Sequence, residues 1–174
     1  MNVENTRFAA SLVIEVLRNR PQLRPCFDLD GVLLDAHHRI KLKPCGTLDL
    51  DHYRANTTAE NVARDRDLPL LDVVRWLNAN DRPYDVATAR VFCEHTANRL
   101  EASAIRPVLV MARQGHDDRR GDAILKSDHF IAQYQPSERC NVVLIDDLQS
   151  NCEAAKALGM HSIRVLTDSG LLMR

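Results

Sequence analysis

Short apolar runs and longer stretches of helical period alternate along this chain. The apolar runs fall at 25–29 (PCFDL), 84–87 (YDVA), 107–111 (PVLVM), 141–145 (NVVLI) and 162–166 (SIRVL). Each is only a few residues long and is bounded by polar or turn residues, as expected of strands buried on both faces. Between them, apolar positions at helical spacing predict helices over 70–80, 92–103, 121–133 and 149–158, with Gly159 placed to end the last one. An amphipathic segment at 6–19 precedes the first run and stops before Pro21. Strands alternating with helices predict an α/β architecture, a parallel sheet of five strands flanked by helices. Residues 34–66 break the pattern: they are polar, mixed in charge and without a long period of either kind, and are expected to form an irregular insertion or small cap above the sheet. With no repeat, low-complexity tract or linker in view, one domain is expected over residues 1–174. A domain of this size buries roughly two-thirds of its unfolded surface and needs neither disulfides nor a structural metal.

Charge changes this picture little. There are 23 basic and 24 acidic side chains, net -1, so no global field draws the chain to nucleic acid, and any polyanion contact must come from a local patch. Aromatics at 5% argue against a stacking platform for single strands. The five cysteines (Cys26, Cys45, Cys93, Cys140, Cys152) are odd in number and form no CxxC pair, which points to a reduced compartment. No apolar run approaches the ~20 residues needed to span a bilayer, and Met1 to Ala10 has no signal-peptide core, so a cytoplasmic protein without membrane partners is expected. The six glycines never form GxxxxGK[ST] or GxGxxG, which removes the P-loop and the dinucleotide fingerprint.

In open α/β sheets ligands bind beyond the carboxyl ends of the strands, and those ends carry residues that a plain core would not choose. Asp28 and Asp30 end the first predicted strand, Thr88 follows the second, and Asp146 with Asp147 closes the fourth. Asp28 and Asp30, at i and i+2, can project from the same face, with Gly31 allowing the chain to turn away. Two carboxylates ~4 Å apart repel by about 4 kcal/mol at an effective dielectric of 20. A second acidic pair increases that cost unless a hard, oxygen-liganded cation is held there, for which Mg²⁺ is the natural candidate. Any one of these aspartates alone reads equally well as a cap or loop residue. Four of them delivered to one sheet edge by distant strands do not.

These motifs resemble those of the haloacid dehalogenase (HAD) superfamily of phosphatases: DxDG with Asp28 and Asp30, a strand-ending Thr88, Lys126, and the acidic pair Asp146 and Asp147. The run IDDLQSNCEAAKALGM, Ile145 to Met160, is especially similar to the last motif and its helix. The resemblance implies a Rossmann-like HAD fold with strand order 5-4-1-2-3. It implies catalysis by Asp28 as nucleophile through an aspartyl-phosphate, Asp30 as acid and then base with a pKa raised by its acidic neighbours, and Thr88 and Lys126 stabilising the phosphoryl group. Asp28, Asp30, Asp146 and Asp147 would form the Mg²⁺ site, Asp30 through its carbonyl and Asp146 as the more direct carboxylate, with Asn151 orienting the acidic loop. Val32 and Ala89 depart from the commoner Thr and Gly of the family without removing a reacting group.

The stretch 107–126 also resembles the 3'-phosphatase domain of bacteriophage polynucleotide kinase, with Asp118, Arg120, Asp122 and Lys126 at matching spacing. This implies a stand-alone phosphatase without the kinase half, contacting substrate through Thr88, Ala89, Arg90, Arg113, Arg120 and Lys126. From 106 to 126 the five basic residues Arg106, Arg113, Arg119, Arg120 and Lys126 exceed three acidic ones, a local net charge of +2. The same loop also reads as a solvated segment that caps the next helix with Asp122. The expected function is therefore a Mg²⁺-dependent phosphomonoesterase removing 3'-phosphate from polynucleotide ends or nucleotides. The alternatives are a phosphatase of 5'-nucleotides or another small metabolite and, from a different class, an inactive module that binds a phosphorylated ligand. His37, His38, Cys45 and His52 fit no zinc spacing and read as cap residues near substrate. Arg39, Lys41 and Lys43 read either as phosphate contacts or as a solvated face, and Trp76 as a buried helical position.

Overall fold

The computed structural model describes residues 3–46 and 48–166. Met1, Asn2, Thr47 and 167–174 lie outside the described residues, so the single-domain span expected for 1–174 extends beyond them at both ends. In chain order the elements are α1 (Val3–Asn19), β1 (Arg24–Phe27), β2 (Leu34–Asp35), α2 (Leu50–Ala55), α3 (Ala59–Ala63), β3 (Arg66–Asp67), α4 (Leu71–Ala79), β4 (Asp85–Val91), α5 (Glu94–Ala102), β5 (Leu109–Arg113), α6 (Asp122–Gln133), β6 (Val142–Asp146), α7 (Gln149–Ala157) and β7 (His161–Arg164). Five strands form one parallel sheet in the order β5-β4-β1-β6-β7. With β2 and β3 set apart, this is the expected order 5-4-1-2-3 read from the other edge.

The buried pattern of the strands explains the sheet's two covers. On one face Phe27, Val86 and Ile145 pack with Leu17 of α1 and Val74 and Leu77 of α4. On the other, Cys26, Ala87, Met111 and Leu144 meet Phe130 of α6 and Ala155 of α7. Each of the Val, Leu, Ile, Phe and Met side chains among them contributes roughly 1.5–3 kcal/mol on burial. Cys26 and Cys152 are buried, and that burial pushes both thiols up. Trp76 is only half-buried, with the guanidinium groups of Arg18 and Arg82 over its ring at 5.7 and 5.3 Å from the centroid. Gly159 takes φ +83° just past α7, and the Met160 amide closes the helix end on the Ala155 carbonyl at 3.1 Å.

Three expectations need correction. β4 does not stop at Ala87 but runs through Thr88 to Val91, with an irregularity that the site exploits. β5 starts at Leu109 rather than 107, where Pro107 offers no amide to the ladder, and reaches Arg113. The 34–66 insertion is also not irregular. It is a small cap in which β2 and β3 pair antiparallel, Leu34 opposite Asp67, and enclose a 3-10 turn at His37–Arg39 and the helices α2 and α3. Those helices have six and five residues, too short for a visible period, and each starts on a side-chain cap: Asp49 accepts from the His52 amide and Thr58 from the Asn61 amide.

Candidate active site

The central strands β1 and β6 run side by side, Phe27 opposite Ile145, so the residues that follow them emerge at one edge of the sheet. Asp28, whose amide still donates to the Ile145 carbonyl at 2.9 Å, faces Asp146 and Asp147. Helix α6 turns Lys126 inward with Leu125 and Phe130, and its Nζ lies 2.9 Å from Asp28 Oδ1 and 2.6 Å from Asp146 Oδ2. Asn151 on α7 donates to both Asp146 oxygens at 3.1 and 3.0 Å, and the Leu148 amide donates to Asp146 Oδ1 at 2.9 Å. One oxygen each of Asp28, Asp146 and Asp147 lies within 4.8 Å of the others, and all three residues are buried.

Three carboxylates around one ammonium leave excess negative charge. Burial pushes the Asp28 carboxyl well above its usual range, with Asp146 and Asp147 adding to the rise against the pull of Lys126. Burial and the neighbouring Asp146 charge push Asp147 up to about 6. Oxygen donors only, crowded and short of positive charge, fit a small hard divalent cation. Each of the three offers an oxygen, but their other partners differ. The Asp146 oxygens are taken by Lys126, Asn151 and Leu148, whereas Asp147 has no ion pair among the described residues and leans over Gly31.

Two predictions arise here. Gly31 has φ +80°, and a Cβ on it would lie 2.6 Å from Asp147 Oδ2. Gly31→Ala is expected to cost about 1–2 kcal/mol of stability through the left-handed backbone and to weaken Mg²⁺ binding by displacing Asp147. Calorimetric titration of Mg²⁺ with both proteins checks this. The raised carboxyls also make cation binding compete with protons. Because the Asp147 pKa is higher folded than unfolded, its contribution to the stability of the metal-free fold is lost as pH rises from about 4 through about 6, while affinity for a cation held there rises over the same window, by up to about tenfold per unit for one proton. Titrations at about pH 5 and about pH 7.5 measure the slope.

Beside this floor, β4 carries the irregularity. Thr88 pairs with Ala112 and Val91 with Arg113, so Ala89 and Arg90 are extra residues that bend the strand and re-aim its side chains. Thr88 is buried, and its Oγ1 accepts from the Arg90 amide at 3.2 Å. Arg90 turns under the cap. Its Nε donates to Asp30 Oδ2 at 3.2 Å, its Nη2 makes a second close bond to Asp30 and one of 2.8 Å to Asp65, and its Nη1 is buried with no partner. Tyr53 of α2 donates to Asp30 at 2.8 Å, and Arg39 grips Asp65 with Nε at 3.0 Å and Nη2 at 2.8 Å.

The Asp30 side chain is therefore outside the carboxylate group that could hold a metal. Burial pushes its carboxyl up, but Arg90, together with Arg39 and Tyr53, outweighs that and holds it below the usual range. This reverses the expected rise, because the neighbours Asp30 meets are cations. Arg39, read as a phosphate contact or a solvated residue, is fully buried inside the cap.

The loop before α6 uses its cations internally. Arg113 lines the cavity, but its guanidinium donates to the carbonyls of Ala89 (3.0 Å), Asp118 (2.7 Å) and Arg120 (2.9 Å). Arg119 pairs with Asp51 at 3.4 Å, and Arg120 lies off the cavity, paired with Asp118 at 2.7 Å and Asp128 at 2.5 Å. Among the residues expected to contact substrate, Arg120 is the one on the loop that does not line the cavity, being held between Asp118 and Asp128. Asp122 begins α6 at the cavity edge, its carboxyl pushed up by burial.

The cavity lies between this floor and the cap. Asp28, Thr88, Ala89 and Arg90 form its base, and Ile40, Leu48, Leu50 and Tyr53 its apolar upper wall. Leu50, Tyr53, Arg54 and Thr57 line it at i, i+3, i+4 and i+7, as one face of α2 and its end would. His37 and His116 also line it, whereas His38 bonds the Asn61 carbonyl at 2.9 Å and His52 contacts Asn56. Among the described residues the only cluster suited to a metal is the acidic trio. The sequence reading did not single out Tyr53, Arg54 or Asp65. Asp49 and Thr58 were available as helix-cap signals, but nothing local marks Asp65 as the partner of two buried arginines.

A family profile described as Bacteriophage T5 5'-deoxynucleotidase matches residues 19–168. No curated protein matches the chain. Among solved structures, a chain of the Pnkp1/Rnl/Hen1 complex is similar with a TM-score of 0.63 and 20% identity over 83% of this chain and 46% of that one, so this chain spans less than half of that protein's length. The haloacid dehalogenase-like hydrolase SP0104 from Streptococcus pneumoniae gives a TM-score of 0.62 at 13% identity, covering 87% of this chain and 90% of its own. A hydrolase from Pseudomonas syringae gives 0.53 at 17%, with 85% of each chain covered. At these identities the likeness is one of fold, and the fold is the haloacid dehalogenase one. No helix among the described residues is long and apolar enough to cross a membrane.

Proposed function

The chain belongs to the Bacteriophage T5 5'-deoxynucleotidase family, and from that premise we propose that it is a Mg²⁺-dependent phosphatase of deoxynucleoside 5'-monophosphates. One observation carries the choice of a small nucleotide over a polynucleotide end. Arg113, Arg119 and Arg120, the cations that suggested a grip on a strand, are engaged with carbonyls and carboxylates of the protein itself. What faces Asp28 instead is an enclosed, largely apolar wall from the cap, suited to a sugar and base.

In this reading Asp28 attacks phosphorus in line and forms an aspartyl-phosphate. Lys126 offsets charge on Asp28 and the phosphoryl group, while Thr88 and the free Nη1 of Arg90 donate to phosphoryl oxygens. Asp28, Asp146, Asp147 and the Asp30 carbonyl would hold Mg²⁺, with Lys126 and Asn151 steadying Asp146. When bound, the ion supplies charge neutralisation as carboxylate and phosphate approach. Asp30, ionised in the resting site, takes up a proton from solvent as substrate binds, gives it to the departing oxygen and then takes one from the hydrolytic water. It is freed for this as Arg90 transfers hydrogen bonds from Asp30 to the phosphoryl oxygens.

A second reading, removal of 3'-phosphates from polynucleotide ends, is supported by the resemblance of 107–126. Phosphate release from deoxynucleoside 5'-monophosphates, 3'-monophosphates and 3'-phosphorylated oligonucleotides separates the two. The proposal expects the 5'-monophosphates to be preferred by about tenfold or more, with activity lost on chelation. Preference for the oligonucleotide, falling steeply with salt as counterion release requires, would overturn it.

A further inference from the structure

We propose that Arg54 is a specificity-determining residue that recognises the leaving nucleoside, through hydrogen-bond acceptors on its base, and not the phosphoryl group. This rests on the 5'-nucleotide reading above and adds the part of the substrate that the cap contacts.

The cations of the site fall into two groups. Arg39, Arg90, Arg113 and Lys126 each have a carboxylate within ion-pair distance. Arg54 has none among the described residues. Its Nη1 is buried without a partner, and its Nη2 makes only a 3.3 Å bond to the Asp118 carbonyl. That carbonyl already accepts from Arg113 at 2.7 Å. A guanidinium with open donors at the wall of a cavity is the usual form of a site whose partner arrives with the ligand.

Position indicates which part of the ligand that is. The phosphoryl group belongs at Asp28, where Thr88, Lys126 and the free Nη1 of Arg90 converge on the floor. Arg54 comes from the cap, on the cavity-lining set that also holds Leu50 and Tyr53, with Leu48 and Ile40 completing the apolar wall. The group that reaches this wall is what the phosphate ester carries. A flat ring with apolar faces and acceptors along one edge matches those surroundings: N7 of a purine, joined by O6 in guanine, or O2 of a pyrimidine. An unadorned sugar offers no such edge.

Turnover of Arg54→Ala and Arg54→Lys is compared with wild type on four deoxynucleoside 5'-monophosphates, deoxyribose 5-phosphate and p-nitrophenyl phosphate. For Arg54→Ala, kcat/KM on nucleotides is expected to fall about 10- to 100-fold, chiefly through KM, as for the loss of one charged hydrogen bond. Rates on the sugar phosphate and the aryl phosphate should stay within about threefold, which also shows that the fold and the phosphoryl site are intact. Arg54→Lys, which keeps the charge but loses the planar fork, should recover only part of the loss, and the spread among bases should narrow in both variants. Equal losses on all substrates would make Arg54 a phosphoryl contact or a cap-to-loop tie and overturn the inference, as would unchanged nucleotide kinetics. A wild type that ignores 5'-nucleotides while hydrolysing other esters would instead overturn the reading on which the inference rests.

Discussion

Asp28→Asn is expected to abolish phosphate release, by about four orders of magnitude or more, while making the metal-free protein more stable. The amide cannot attack phosphorus and is a poor ligand for a hard cation, so nucleophile and metal donor are lost together. The opposite sign for stability follows from the charges. Asp28 is buried with Asp146 and Asp147 around a single Lys126, and burial together with those two carboxylates opposes the charge on its own. Removing one of three negative charges relieves that repulsion. A gain of about 1 kcal/mol, or about 2–4 °C in melting temperature for a domain of this size, is the expected scale. Phosphate release together with thermal unfolding in chelator measures both effects. Residual turnover near wild type would remove Asp28 from the chemistry.

Asp65→Ala should be the most destabilising of the changes considered. The Asp65 side chain has 0% exposure, as do those of Arg39 and Arg90, and it accepts from both. Its removal leaves Arg39 without an ion-pair partner among the described residues and leaves Arg90 with Asp30 alone. Breaking a buried pair from one side costs about 3–5 kcal/mol, which corresponds to a fall of roughly 6–20 °C in melting temperature. Activity should fall as well, because Arg90 loses the contact that shares it between the cap and Asp30. Replacing Arg39 and Asp65 together by Met and Leu should recover much of the stability, since no lone charge is then left buried. Urea unfolding of the three variants gives the comparison. A loss below about 1 kcal/mol for Asp65→Ala would mean that the network is solvated and does not tie the cap to the core.

The sheet and its acidic edge were legible because both depend on local pattern. A buried parallel strand is a short apolar run, and a carboxylate directly after one, as at Asp28 or Asp146, stands out against it. Lys126 was legible from its motif, and α6 turns it to the place expected. The insertion could be read as a small cap but its internal structure was not legible, because α2 and α3 are too short to show a period and are held by the caps Asp49 and Thr58 and by charge pairs between distant residues. Arg39 and Asp65 are 26 positions apart in a stretch whose charges look solvated, and nothing local distinguishes them from Lys41 or Arg64. The environment of Asp30 was misread for the same reason: its acidic neighbours are visible in sequence, whereas Arg90 reaches it through a strand irregularity that leaves no sequence mark. The basic excess of 106–126 was counted correctly, but a count does not reveal that Arg120 sits between Asp118 and Asp128.

The path of the phosphoryl group tests the account most directly. A deoxynucleoside 5'-monophosphate carrying radiolabelled phosphate is mixed with the protein and Mg²⁺, quenched in acid within milliseconds, and the digested protein is searched for label. Covalent label is expected on the peptide that contains Asp28, none with Asp28→Asn, and label that forms more slowly when the phosphate is presented on a 3' end. Rapid turnover of the 5'-nucleotide with no label at Asp28 would contradict the account.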